Sequence, residues 1–159
     1  DYPDYCLVLQ APTSCIEESE YFEKFSAKAK AVPRVFHIDD FSPIIWQSFL
    51  RYDKTAVVCL ASTMDPNPHT PIEAKLFCRD MNYVILASFK DGIKDSFAQD
   101  ECVPIADPCD IKDFSHKLAV SIGISQEEKK RMSLRNLISV QSFSYSDNLL
   151  RFLKNEDVI

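Results

Sequence analysis

Glycine is scarce: the 159 residues contain only Gly92 and Gly123, so neither a Gly-x-Gly-x-x-Gly turn nor a P-loop can be written on this chain. Long apolar runs are missing too. No stretch approaches the roughly 20 apolar residues of a spanning helix, and Asp1-Tyr2-Pro3-Asp4 lacks the basic start of a secretory leader. Positive charge is in the minority, with 18 Lys and Arg against 24 Asp and Glu and a net charge of -6. Polyanions are repelled by such a monopole, so neither nucleic acid nor an anionic membrane is an expected partner. The six cysteines include no Cys-x-x-Cys, and Cys102 and Cys109 flank a strand-like segment, which excludes a zinc knuckle or a dithiol redox site. Cys6, Cys59 and Cys78 sit in apolar segments and read as small hydrophobes, in keeping with a cytoplasmic chain. His37, His69 and His116 lack metal-ligand neighbours, and Thr13 and Ser14 lack the Gly-x-Ser-x-Gly elbow of a hydrolase nucleophile. There are no internal repeats.

What remains is a chain with 46% hydrophobic residues, enough for one compact domain spanning residues 1–159. Tyr5-Cys6-Leu7-Val8-Leu9-Gln10 is continuously apolar, as a strand covered on both faces should be. Residues 17–31 follow with Tyr21, Phe22, Phe25 and Ala29 at helical spacing, and Ser14 is available as a cap. Val35-Phe36-His37-Ile38 reads as a strand, and Ser42-Pro43 opens a helix with Ile44, Ile45, Phe49 and Leu50 on its apolar face. The alternation repeats. Residues 55–61 are a β-branched strand, 71–79 a short helix and 83–87 a strand; Gly92 interrupts before a turn or helix over 93–99. Cys102-Val103-Pro104-Ile105 is a last strand, assigned to a sheet edge by its proline.

Strands alternating with helices predict an α/β fold with an open, mostly parallel Rossmann-like sheet and helices on both faces. Residues 1–123 form the βα core and 124–159 a C-terminal helical segment. Ligands of such sheets sit beyond the carboxyl ends of the strands, which points to residues 12–15, 39–41, 62–69 and 88–92. Among the side chains outside that edge, Trp46 reads as packing, and Lys129, Lys130, Arg131 and Arg135 behind Glu127 and Glu128 read as a solvated, charge-paired helix face.

Several segments occur in a telling order. Val8-Leu9-Gln10-Ala11-Pro12-Thr13-Ser14 leads to a helix with Glu20-Tyr21, then Phe41-Ser42-Pro43-Ile44. Val57-Val58-Cys59-Leu60-Ala61-Ser62 is followed by Asp65 and, eight positions on, Glu73. Val84-Ile85-Leu86-Ala87-Ser88-Phe89, Ala106-Asp107-Pro108-Cys109-Asp110-Ile111, Ile124-Ser125-Gln126-Glu127-Glu128-Lys129 and Leu150-Arg151-Phe152-Leu153 complete the series. Collinearly, these resemble the carboxy-terminal Rossmann half of the trehalose-6-phosphate synthases, two-Rossmann glycosyltransferases of the B type that join glucose from UDP-glucose to glucose 6-phosphate.

The resemblance implies a donor site in which Asp65 meets hydroxyls of the donor glucose and Glu73 meets its ribose, as carboxylates suit paired hydroxyls. Asn67, His69 and Thr70 lie in the same loop. Where the family has Gly-Met-Asn-Leu-Val, this chain has Pro66-Asn67-Pro68-His69-Thr70, so two backbone donors are deleted and two φ angles fixed. The family's phosphate-neutralising arginine and lysine, its amino-terminal half and the first βα unit of its carboxy-terminal half have no counterpart here, which reads as excision from a longer chain. The expectation is a non-catalytic scaffold or regulatory domain in trehalose biosynthesis with a vestigial donor site at Asp65, Asn67, His69, Thr70 and Glu73. It has no catalytic residue, cofactor or metal of its own. Its expected partners are the amino-terminal half or other synthase and phosphatase subunits. The alternative is the UDP-glucose-binding half of an active synthase.

Overall fold

A computed structural model describes residues 4–10, 19–38, 42–62, 69–81, 83–98 and 100–141. The chain divides into two compact units, residues 1–49 and 50–159. In the first, β1 (Leu7–Gln10) and β2 (Val35–Ile38) pair in parallel, Leu7 opposite Val35 and Gln10 opposite Ile38. Helix α1 (Ser19–Ala31) makes the crossover and packs on β2. Its exit is closed by Val35 N–H bonded to Val32 O at 3.3 Å and Leu7 N–H bonded to Arg34 O at 2.9 Å. Arg34 adopts a left-handed φ of 64°, the conformation a chain takes when it turns out of a helix. Helix α2 (Pro43–Leu50) follows, with proline at the first helical position, where its missing N–H costs nothing.

The second unit holds β3 (Val57–Leu60), α3 (Thr70–Met81), β4 (Val84–Ser88), α4 (Asp91–Asp95), β5 (Val103–Ile105), α5 (Ile111–Gly123) and α6 (Gln126–Gln141). Its three strands are parallel in the order β3-β4-β5. All five residues of β4 are buried, which is why this strand is apolar without alternation. Period two separates the faces. Val84, Leu86, Val103 and Ile105 form the core with Met132, joined by Val57 and by Phe114 and Leu118 of α5. On the opposite face Val58, Leu60, Ile85 and Ala87 are buried, on the side to which right-handed crossovers bring α3 and α4.

Helix α3 also packs on α6, through polar groups. Lys75 Nζ lies 2.6 Å from Glu101 Oε2 and donates to Ser139 Oγ at 3.0 Å, with 4.8 Å to the Phe97 ring centroid. Glu101 also accepts Ala98 N–H at 2.8 Å, and its carbonyl accepts Asn136 Nδ2 at 2.9 Å. Both charges are buried. Nearby, Cys78 Sγ and Ser133 Oγ lie 3.1 Å apart, and the wholly buried Tyr83 donates its hydroxyl to Ala74 O at 2.6 Å.

The α/β class with parallel strands holds, while several local expectations need correction. Among the described residues each unit holds its own parallel ladder, two strands in the first and three in the second. Gly92 lies inside α4 instead of interrupting before it. Lys129 is buried rather than solvated, because the α6 stripe of Met132, Ser133 and Asn136 includes its position one turn earlier. Arg131 does pair with Glu128, at 2.6 Å, and Arg135 reaches Asp100 at 3.6 Å. Of the three cysteines expected to be core hydrophobes, Cys78 is buried, but Cys6 and Cys59 are exposed. The stretch after α6 and the cap at Ser14 lie outside the described residues.

Candidate functional site

The carboxyl ends of β3, β4 and β5 are the edge where a parallel sheet of this kind takes ligands. Beyond β3, α3 begins at Thr70, and His69 O accepts the N–H groups of Ile72 and Glu73 at 3.0 and 3.2 Å. Pro71 is buried at the second helical position, where no intrahelical N–H bond is required. Glu73 occupies the first turn, where the helix dipole favours a carboxylate. His69 is exposed, and Thr70 and Glu73 are partly buried. The structure therefore brings His69, Thr70 and Glu73 together at one helix start; Asp65 and Asn67 lie outside the described residues.

Beyond β4 and β5 the edge carries a charge pair. Lys90 Nζ donates to Asp107 Oδ1 at 3.1 Å, and Asp107 also accepts Cys109 N–H at 3.0 Å. The bond from Cys109 and then the Lys90 ammonium hold the Asp107 carboxyl below its ordinary range. Asp110 caps α5 by accepting Lys112 N–H and Asp113 N–H at 2.9 and 3.2 Å. Ser88, wholly buried at the end of β4, finds no hydrogen-bond partner for its hydroxyl among the described residues. The segments carrying these groups are legible in the sequence; the Lys90 to Asp107 contact is not, because it joins positions 17 apart. Residues 12–15 and 39–41, also expected at the ligand edge, lie outside the described residues.

Chemically, the described edge offers a carboxylate, an imidazole and a hydroxyl at the start of α3, and a mutually neutralised lysine and aspartate beyond β4 and β5. That set can hydrogen-bond hydroxyls. The one lysine described at the strand ends, Lys90, is already engaged by a carboxylate, which weakens it as a diphosphate ligand. Among the described residues no group of His, Cys, Asp and Glu is placed to hold a metal ion, and no helix is long and apolar enough to cross a membrane.

No family model matches the sequence, and no curated protein sequence does. Solved structures do match. An α,α-trehalose-6-phosphate synthase from Burkholderia multivorans aligns over 96% of this chain with a TM-score of 0.76 and 14% identity. A UDP-forming α,α-trehalose-phosphate synthase from Burkholderia vietnamiensis gives 0.75, 15% and 96%, and one from Burkholderia xenovorans in complex with glucose-6-phosphate gives 0.75, 14% and 94%. The chain spans only 35 to 36% of each of those proteins. Its fold is thus that of about one third of a trehalose-6-phosphate synthase, a Rossmann-like glycosyltransferase fold.

Proposed function

We propose that this chain is a trehalose-6-phosphate-synthase-like domain of the donor side, residues 1–159 forming one Rossmann-like half, and that it serves as a non-catalytic scaffold or regulatory domain in trehalose biosynthesis. The observation that carries the family reading is the fold likeness over 96% of the chain. The non-catalytic part rests on the loop before α3. Pro66 and Pro68 replace a glycine and an asparagine of the resembled motif and remove two N–H donors from the stretch that would face the donor sugar and diphosphate. Its partners are then the acceptor-binding half and other subunits of a trehalose synthase and phosphatase assembly, in the cytoplasm.

A second reading, the donor half of an active synthase, is favoured by one feature: Glu73 keeps the first-turn position that the resemblance gives to a ribose ligand. Loop repair separates the two. In the first reading the Pro66→Gly, Pro68→Asn double variant gains saturable UDP-glucose affinity that the parent lacks; equal, tight binding by both would support the second.

A further inference from the structure

Of the four α6 positions that are fully buried, three are polar: Lys129, Ser133 and Asn136 stand with Met132. The helix packs on α3. Lys75 of α3 bonds to Ser139 while Cys78, further along α3, meets Ser133, so the contacts step in opposite directions and the two helices run antiparallel. The end of α6 therefore lies over Lys75, two residues past Glu73. Beneath it the Lys75 and Glu101 side chains are only 5% and 7% exposed. Helix α6 meets this pair with the Ser139 hydroxyl and with Asn136, whose Nδ2 donates to Glu101 O at 2.9 Å. A charge pair held out of water regains in attraction roughly what it lost in hydration, so covering it stabilises the docked helix little. Asn136 adds a cost. Its buried Oδ1 finds no hydrogen-bond partner, so that atom gives up hydration and gains nothing. Met132 alone of the four joins the apolar core, whereas β4 is buried along its whole length.

We infer that α6 is a releasable brace: it leaves α3 as a unit while the β3-β4-β5 sheet stays folded, admitting water to the Lys75–Glu101 pair, to Asn136 and to Cys78. What opposes release is small beside what holds the strands, because buried polar groups recover on hydration most of what they lose in contacts. Release also frees the turn of α3 next to Glu73, so the brace governs how firmly the start of that helix is held. The device depends neither on the family reading nor on a bound donor.

Cys78 reports release directly, since its wholly buried thiol sits against Ser133 and is uncovered even if α6 stays helical as it lifts. Alkylation of Cys78 by iodoacetamide, read by peptide mass spectrometry, and exchange of the Leu86 amide, read by NMR, are followed together across low urea concentrations. The state that exposes Cys78 should be populated at least about 100-fold more than the state that exposes Leu86, with a shallower urea dependence. Lys75→Met leaves the Glu101 carboxylate uncompensated while α6 is docked, so it should speed Cys78 labelling by about 100-fold or more. Lys75→Met with Glu101→Leu should return the rate near that of the parent. Equal populations and equal urea slopes for Cys78 and Leu86 in the parent overturn the proposal, because α6 would then leave only when the sheet unfolds. So does a Cys78 rate that Lys75→Met leaves unchanged. If Lys75→Met does not fold, the comparison within the parent protein decides alone.

Discussion

Lys75 sits one helical step past the candidate site, and its burial gives it consequences that its sequence context does not announce. A buried pair contributes little net stability over apolar replacements, yet breaking it by removing one partner leaves the other charge without compensation. Lys75→Met should therefore destabilise the protein by about 3–5 kcal/mol in urea unfolding, while Lys75→Met combined with Glu101→Leu should recover most of that loss. Additive losses in the double variant would show that the pair is not coupled. The buried thiols give a second expectation. Burial first, then the Glu101 carboxylate, pushes Cys102 up to about 12 from an ordinary 9.0, against a lowering by Lys75. Burial likewise raises the Cys78 thiol, against lowering by its hydrogen bonds to Ser133 and Asn136. A thiol whose folded value lies above its unfolded value is ionised first in the unfolded chain. The stability these groups contribute is thus complete below about pH 9 and lost as pH rises toward about 12. Urea midpoints should fall across that window, and Cys102→Ala should flatten the decline; a midpoint independent of pH there would contradict the assignment.

Among the elements, those legible in the sequence were the ones whose local signals agree with their packing. β4 is apolar without alternation because both faces are covered. Pro104 assigns β5 to an edge, and among the described residues β5 ends the β3-β4-β5 order. Illegible features depend on residues far apart in the chain. Lys129 looks like one of a run of surface bases, but the face of α6 that meets α3 includes its position. The Lys75 to Glu101 bond spans 26 positions and the Lys75 to Ser139 bond 64, and no local pattern encodes either. At the candidate site, the first-turn position of Glu73 follows from the helix expected over 71–79 and its ligand role only from the resemblance, whereas the Lys90 to Asp107 pair depends on β4 and β5 lying side by side. One element can be improved. Gly123 ends α5 with an ordinary negative φ, and a Cβ added there meets nothing within 4 Å. Gly123→Ala should raise stability by about 0.4–1 kcal/mol, chiefly by restricting the unfolded chain. A lower melting temperature would mean that the open space is needed.

At the scale of the whole molecule, the chain combines the fold of about one third of a synthase with two prolines, Pro66 and Pro68, shortly before α3. The fold is shared at 14% identity with a solved synthase, because a doubly covered sheet needs only apolar residues of suitable size. Donor chemistry is less forgiving. In the proposed reading it needs N–H groups at fixed points, and Pro66 and Pro68 supply none. Calorimetric titration of UDP-glucose and of UDP into the protein, repeated with Glu73→Ala, measures this directly. A scaffold role predicts no saturable heat at millimolar ligand and no difference between the two proteins; saturable binding that Glu73→Ala abolishes would contradict it and establish a working donor site.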